Sequence, residues 1–245
     1  MIIPYPLKSG THKVISGTLR RVEIFNKNQL RYYFDDQIVD TYITLISIQF
    51  YNLSNYKYKL TQVNAMTDII VTLELIEKNG ENYLIKVRYN EDVSESKTDP
   101  LTLTEKNDLK NRAGIRFGCV GFFMLIPGLM YGFTNGFGKE SLPVLLIFAA
   151  PFLLTWLFYY IPERQKIKDS RNKIVITTII REVITVLIPR SRSNSPAKQE
   201  TMYRIGTGEL IKYYSIPLHT QDKVRLYYTE EKGQTDGLFK LEKLS

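Results

Sequence analysis

The fold class that the sequence predicts is a membrane α+β protein, in which a two-helix transmembrane hairpin separates β-rich cytoplasmic parts of small-barrel or sandwich type. Three observations lead there. Residues 117–138 carry no charge over 22 positions, residues 141–162 carry none over another 22, and only Lys139 and Glu140 stand between them. A helix of about 20 apolar residues crosses a hydrocarbon core, so each run is long enough. On both sides of this block the chain is β-branched and alternating, the pattern of half-buried strands. The 245 residues then divide into an N-terminal part over 1–112, the hairpin over 113–165 and a C-terminal part over 166–245.

In the N-terminal part, residues 14–25 read as a strand ending at the turn-like Asn26-Lys27-Asn28, and 30–34 as a second strand stopped by Asp35-Asp36. Residues 41–51 place Ile46, Ile48 and Phe50 on one face and Ser47 and Gln49 on the other. Residues 60–67 suit a short helix. Residues 69–77 and 83–89 flank Asn79-Gly80, a favoured hairpin turn. Residues 105–116 lead into the first span as a helix. In the C-terminal part, 173–188 is β-branched almost throughout and reads as one long strand, and 190–198 is a polar, proline-containing connector. Strands at 202–205 and 209–216 surround the turn Gly206-Thr207-Gly208, and 224–228 and 238–241 close the chain.

The flanks orient the hairpin. Lys106, Lys110, Arg112 and Arg116 precede it and Arg164, Lys166, Lys168, Arg171 and Lys173 follow it. Basic residues beside spans stay on the cytoplasmic side, so both termini are expected in the cytoplasm of a bacterial cell, the chain being integral to its inner membrane. Lys110, Arg112, Arg116, Arg164, Lys166 and Lys168 are the candidate contacts to lipid headgroups. Tyr131, Phe133, Trp156, Tyr159 and Tyr160 gather near the ends of the runs, as interfacial aromatics do. Gly128, Gly132 and Gly136 recur every four residues, a spacing that lets two helices approach closely. That face serves either packing within the hairpin or a homo-oligomer seam. Pro127 and Pro151 should kink their helices. Neither run holds a charged residue, so the usual mark of an ion or proton path is missing.

The two β-rich parts share a pattern. Val14-Ile15-Ser16, Leu19-Arg20 and Val22 can be laid on Val175-Ile176-Thr177, Ile180-Arg181 and Val183, and Lys86-Val87-Arg88 on Lys223-Val224-Arg225. An internal duplication and coincidence among β-branched strands both account for this. The closing segment Lys223-Val-Arg-Leu-Tyr-Tyr-Thr-Glu-Glu231 with Leu238-Phe-Lys-Leu241 resembles the last strands of a bacterial membrane family of unknown function that pairs two transmembrane helices with a small β-barrel. In that family the strand runs into an Asp/Asn-x-Pro turn and the helices bracket the barrel. Here the proline is absent and the helices adjoin. The resemblance implies a membrane-tethered β module and no chemistry.

Residues for catalysis are sparse. The single Cys119 excludes an internal disulfide framework and a cysteine-based zinc site, and its place in an apolar run suits a structural role. His12 and His219 are isolated, so no histidine cluster or triad can be assembled. Gly206-Thr207-Gly208 lies between strands and not before a helix, which makes it a turn and not a phosphate loop. Asp35, Asp36 and Asp40, and Glu230 with Glu231, sit at strand ends with spacing that fits no Ca²⁺ loop. The tyrosine pairs 32/33, 213/214 and 227/228 should each turn one ring to the core by alternation, and lipid suits the basic flanks better than nucleic acid. The net charge of +8 agrees with that partner. The function expected is therefore a non-catalytic, membrane-tethered binding or scaffolding module without a cofactor. It would recruit a protein partner at the cytoplasmic face, one version being an immunity or accessory protein. The alternative is a subunit of an oligomeric channel or transporter.

Overall fold

The β-branched run at 14–25 forms β1 (Thr11–Asn26), the longest strand of the N-terminal part of the chain in the computed structural model. Residues 10–43, 59–90, 94–136, 142–188, 197–212, 216–231 and 234–244 are described. After β1 follow β2 (Gln29–Phe34), β3 (Ile38–Ile43), β4 (Lys59–Ala65), β5 (Ile69–Lys78), β6 (Glu81–Tyr89) and β7 (Glu95–Pro100). Then come α1 (Leu103–Asn135), α2 (Leu142–Thr155), a π turn (Trp156–Tyr160) and α3 (Ile161–Asp169). The chain closes with β8 (Asn172–Ile188), β9 (Lys198–Ile205), β10 (Leu210–Lys212), β11 (Lys223–Glu231) and β12 (Gln234–Leu244). By its internal contacts the chain forms two units: one of residues 1–96, 176–226 and 240–245, the other of 97–175 and 227–239. The units interleave in sequence.

The first unit contains a closed barrel in the order β1-β2-β3-β6-β5. β1 closes it by changing partner: it pairs with β5 from Thr11 to Leu19 and with β2 from Leu19 onward, with a register shift between Leu19 and Arg21. Such irregularities bend a strand enough to turn a barrel corner. Alternation fills the interior with Leu30, Tyr32 and Phe34 from β2 and Ile69, Val71, Leu73 and Leu75 from β5. The β5–β6 hairpin has the two-residue loop expected at Asn79-Gly80, and both residues adopt positive φ, 54° and 77°. That is the type I′ geometry whose twist matches the flanking strands.

The remaining strands form a sheet in the order β10-β9-β8-β11-β12, with β4 and β7 also pairing β8. β8 reads as nearly continuous apolar sequence because successive residues, which point to opposite faces, are buried along most of it, and Ile184 and Val186 belong to the same core as the barrel. Residues 60–67 are corrected from helix to strand: β4 pairs antiparallel with β8, Leu60 opposite Val186 and Val63 opposite Ile184. Burial of Leu60 against the barrel core outweighs local helix preference, which is worth tenths of a kcal/mol per residue. The strand expected at 41–51 is seen to Ile43. Its remainder, the connector at 189–196, Lys139, Glu140 and the pair 213/214 lie outside the described residues. Of the other pairs, Tyr32 is buried with Tyr33 half-buried, whereas Tyr227 and Tyr228 are both buried, so alternation fails on β11.

In the second unit α1 starts at a capping box. Thr102 Oγ1 accepts the Glu105 N–H at 3.2 Å, and the Glu105 carboxylate accepts the Thr102 N–H at 3.0 Å. Glu105 also receives Lys173 Nζ from β8 at 2.6 Å. α1 and α2 run antiparallel against each other. Gly128 meets Phe148, where an added Cβ would stand 3.1 Å from the Phe148 Cβ, and Phe117 stacks on Tyr160 with centroids 4.6 Å apart.

The expected two-span transmembrane hairpin is corrected by this structure. Strands dominate the chain, and among the described residues one helical stretch, Leu146–Asp169, is long and apolar enough to cross a membrane. The charge-free run 117–138 is not an element of its own: α1 begins well before it, as one helix with the charged Glu105, Lys106, Asp108, Lys110 and Arg112. The second stretch continues past residue 162 to Asp169. The placement of both termini on one side rested on two crossings and falls with them.

The Glu105–Lys173 contact carries a pH prediction. Burial pushes the Glu105 carboxyl up, but Lys173 and the two Thr102 donors outweigh it and hold the group below its ordinary value of 4.5. A carboxylate lowered on folding stabilises above its unfolded value, and that contribution disappears as pH falls through the folded one. The thermal midpoint should therefore drop more between about pH 5 and 3 in the parent than in Glu105→Gln. Parallel pH profiles of the two proteins would show that the contact carries no stability.

Candidate functional site

Five of the six basic residues expected at lipid headgroups meet on two clefts of the second unit. The π turn shapes both. Pro151 has no N–H to give the helix, the Thr155 hydroxyl donates back to the Pro151 carbonyl at 2.7 Å, and the next turn widens so that the Ile161 N–H reaches the Trp156 carbonyl. One extra residue in a helical turn re-aims the side chains around it, and π turns recur at functional sites for that reason. Here it brings the consecutive Tyr159 and Tyr160 to one cleft.

The larger cleft, about 510 Å³, runs from α1 to β12. Arg112 and Phe117 come from α1, Tyr159 and Tyr160 from the π turn, Lys166 from α3 and Leu238 from β12. Arg112 Nη1 donates to the Phe239 carbonyl at 2.7 Å, which fixes the guanidinium at the wall. Glu163 is its one carboxylate among the described residues, beside Arg112 and Lys166.

The smaller cleft, about 330 Å³, is lined by Lys110 of α1, Trp156 and Tyr160 of the π turn, and Ile161, Arg164 and Lys168 of α3 together with Gln165. Arg164 and Lys168 are one helical turn apart on the same face. The Arg164 guanidinium lies 5.9 Å from the Tyr160 ring centre. Among the described residues no carboxylate lines this cleft. It is a trough whose lining combines three cations with an indole and a phenol ring. That arrangement can hold a multiply charged anion carried on an apolar body.

The other expected site residues are distributed as follows. Arg116 lies on α1, with its side chain outside the description. Gly128 is buried against Phe148 of the same chain, which is packing within the helix pair. Gly132 lies on α1, and Gly136 ends it at φ 79° with open space around it. Cys119 is exposed on α1 and is not in the core. Asp35 binds Arg20 at 2.5 Å, which holds its carboxyl below the usual range, and Asp40 binds Arg31 through two contacts of 2.6 and 2.8 Å. Asp35 follows the end of β2, whereas Asp40 lies within β3 and pairs across the ladder with Arg31 of β2. His219 is exposed in a turn where its N–H donates to Asp222. Gly206-Thr207-Gly208 is the β9–β10 turn. Among the described residues no three histidine, cysteine or acidic side chains are grouped to hold a metal ion.

One polar cluster has no counterpart in the sequence reading. In the first unit Arg204 donates to Glu182 at 2.6 Å, with 0% and 1% of the two side chains exposed, and Tyr32 donates to the same carboxylate at 3.1 Å. Burial, then the Glu182 charge, pushes the Tyr32 hydroxyl well above its ordinary value. The cluster is sealed within the core, which makes it a structural element.

No protein-family model, no curated protein and no solved structure matches this chain. The likeness of residues 223–241 to a membrane family therefore carries no argument about this site.

Proposed function

We propose that this protein is a non-catalytic binding module attached to the cytoplasmic membrane of a bacterium through the helical stretch Leu146–Asp169. One observation carries the reading: that stretch leaves its large apolar side chains uncovered. Ile147 is 67% exposed, Phe158 71% and Tyr159 72%, and Leu146, Leu153, Leu154 and Leu157 are all more than half exposed. Contiguous apolar surface of this size is not tolerated in water without a partner. The basic end of the stretch, at Arg164, Lys166 and Lys168, favours the cytoplasmic headgroups. In this reading the β-rich parts are what the module offers to a protein partner. A channel or transporter subunit is not favoured, since Gly128 is engaged within the chain.

The test is flotation of the full chain with vesicles of phosphatidylcholine alone. The parent should rise with the vesicles, and Leu153→Asp/Leu157→Asp should stay at the bottom of the gradient. Two aspartates at the centre of an apolar helix cost about 5–7 kcal/mol of insertion, enough to abolish binding. A parent chain that stays below, soluble and monodisperse without detergent, would refute the proposal.

A further inference from the structure

The trough formed by Lys110, Trp156, Tyr160, Ile161, Arg164 and Lys168 differs from the ion-paired basic sites of the chain. Arg20, Arg31, Arg88, Lys173 and Arg204 each contact a carboxylate within 2.6 Å. Lys110, Arg164 and Lys168 converge on one surface with no acidic partner among the described residues, although Glu163 and Asp169 are their neighbours in sequence. Like charges repel, and three cations held together without an acid lower the stability of the free protein unless an anion joins them.

The apolar wall says what carries that anion. Trp156 and Ile161 line the same trough, and Leu153 and Leu157, exposed, lie one to two turns toward the apolar end of the stretch. Arg164 lies 11 residues from Leu153, about 16 Å along a helix, which is the distance from a phosphate into the acyl region of a lipid leaflet. Indole rings favour the boundary between the two. A free phosphate or an acidic peptide would use the cations and leave this apolar wall unused.

We propose that the trough binds the phosphate-bearing headgroup of one anionic phospholipid. Lys110, Arg164 and Lys168 contact its phosphate oxygens, and Trp156 and Ile161 lie against the glycerol and the upper acyl chain. The site gives the module a preference for anionic over zwitterionic membrane. This inference rests on the membrane reading above, and its test is separable from that one.

The full chain is floated with phosphatidylcholine vesicles and with vesicles that also contain phosphatidylglycerol. The anionic lipid should strengthen binding of the parent by roughly a hundredfold at low salt, at about 1 kcal/mol per cation. Lys110→Gln/Arg164→Gln/Lys168→Gln should lose that gain and keep its binding to phosphatidylcholine. A control with the same charge loss, Lys27→Gln/Lys59→Gln/Lys223→Gln, should keep the gain to within about threefold, and Arg164→Lys should retain most of it. Circular dichroism confirms that each variant is folded. An unchanged preference in the first triple variant, or an equal loss in the control, would overturn the site, the latter by showing a diffuse charge effect. Failure of the parent to bind phosphatidylcholine would instead overturn the membrane reading.

Discussion

Replacing Gly208 by alanine is expected to destabilise the protein by about 3–5 kcal/mol, from a positive-φ cost and an overpacking cost acting together. Gly208 closes the β9–β10 turn at φ 85°, where its N–H donates to the Ile205 carbonyl at 2.8 Å. A Cβ there would stand 1.8 Å from the Val87 carbonyl oxygen and 3.0 Å from its carbon. Both atoms belong to the backbone of β6, so no side-chain rotation relieves the contact and the turn must leave the barrel. Gly80→Ala separates the two costs. Gly80 has φ 77° and nothing within 4 Å, so it should lose only the conformational share, about 1–2 kcal/mol. Urea unfolding of both variants checks this. Equal midpoints would show that the turn does not rest on Val87.

Glu182→Gln should cost a similar amount, about 3–5 kcal/mol, because it leaves the Arg204 guanidinium charged in a sealed core. Glu182 bridges β2 and β9: Tyr32 donates to one oxygen and Arg204 to the other. Neither partner can turn to water, since Tyr32, Glu182 and Arg204 are all within 1% of full burial. The double replacement Glu182→Leu/Arg204→Met removes both charges and should recover most of the loss, since a buried pair is worth little against apolar side chains of similar size. A double-mutant cycle on unfolding free energy reads this directly. A cost below about 1 kcal/mol for Glu182→Gln would mean that water reaches the pair.

Local elements were legible where one interaction range decides them. The Asn79-Gly80 hairpin follows from positive φ, β1 and β8 follow from β-branched runs, and the helical stretch before and after Pro151 follows from uninterrupted apolar residues. The basic flanks were legible as headgroup candidates from their proximity to apolar sequence. The errors have one origin. The charge-free run 117–138 was taken as an element of its own although α1 starts at Leu103 among charged residues, and 60–67 was taken as helix because its partner β8 lies more than a hundred residues away.

What the sequence alone determined about this protein is therefore its local grammar: that the β-branched runs of β1 and β8 are strands, that Asn79-Gly80 turns a hairpin, that the stretch around Pro151 is helical and apolar, and that its flanks are cationic. Only the tertiary structure decided which of those pieces meet. It set β4 beside β8, brought the Gly208 turn against Val87, paired Glu182 with Arg204, and gathered Lys110 of α1 with Arg164 and Lys168 of α3 into one trough without an acid. The physical reason is that backbone preference and hydrophobic period act over a few residues, whereas burial and charge compensation act between whichever surfaces the folded chain brings within a few ångströms.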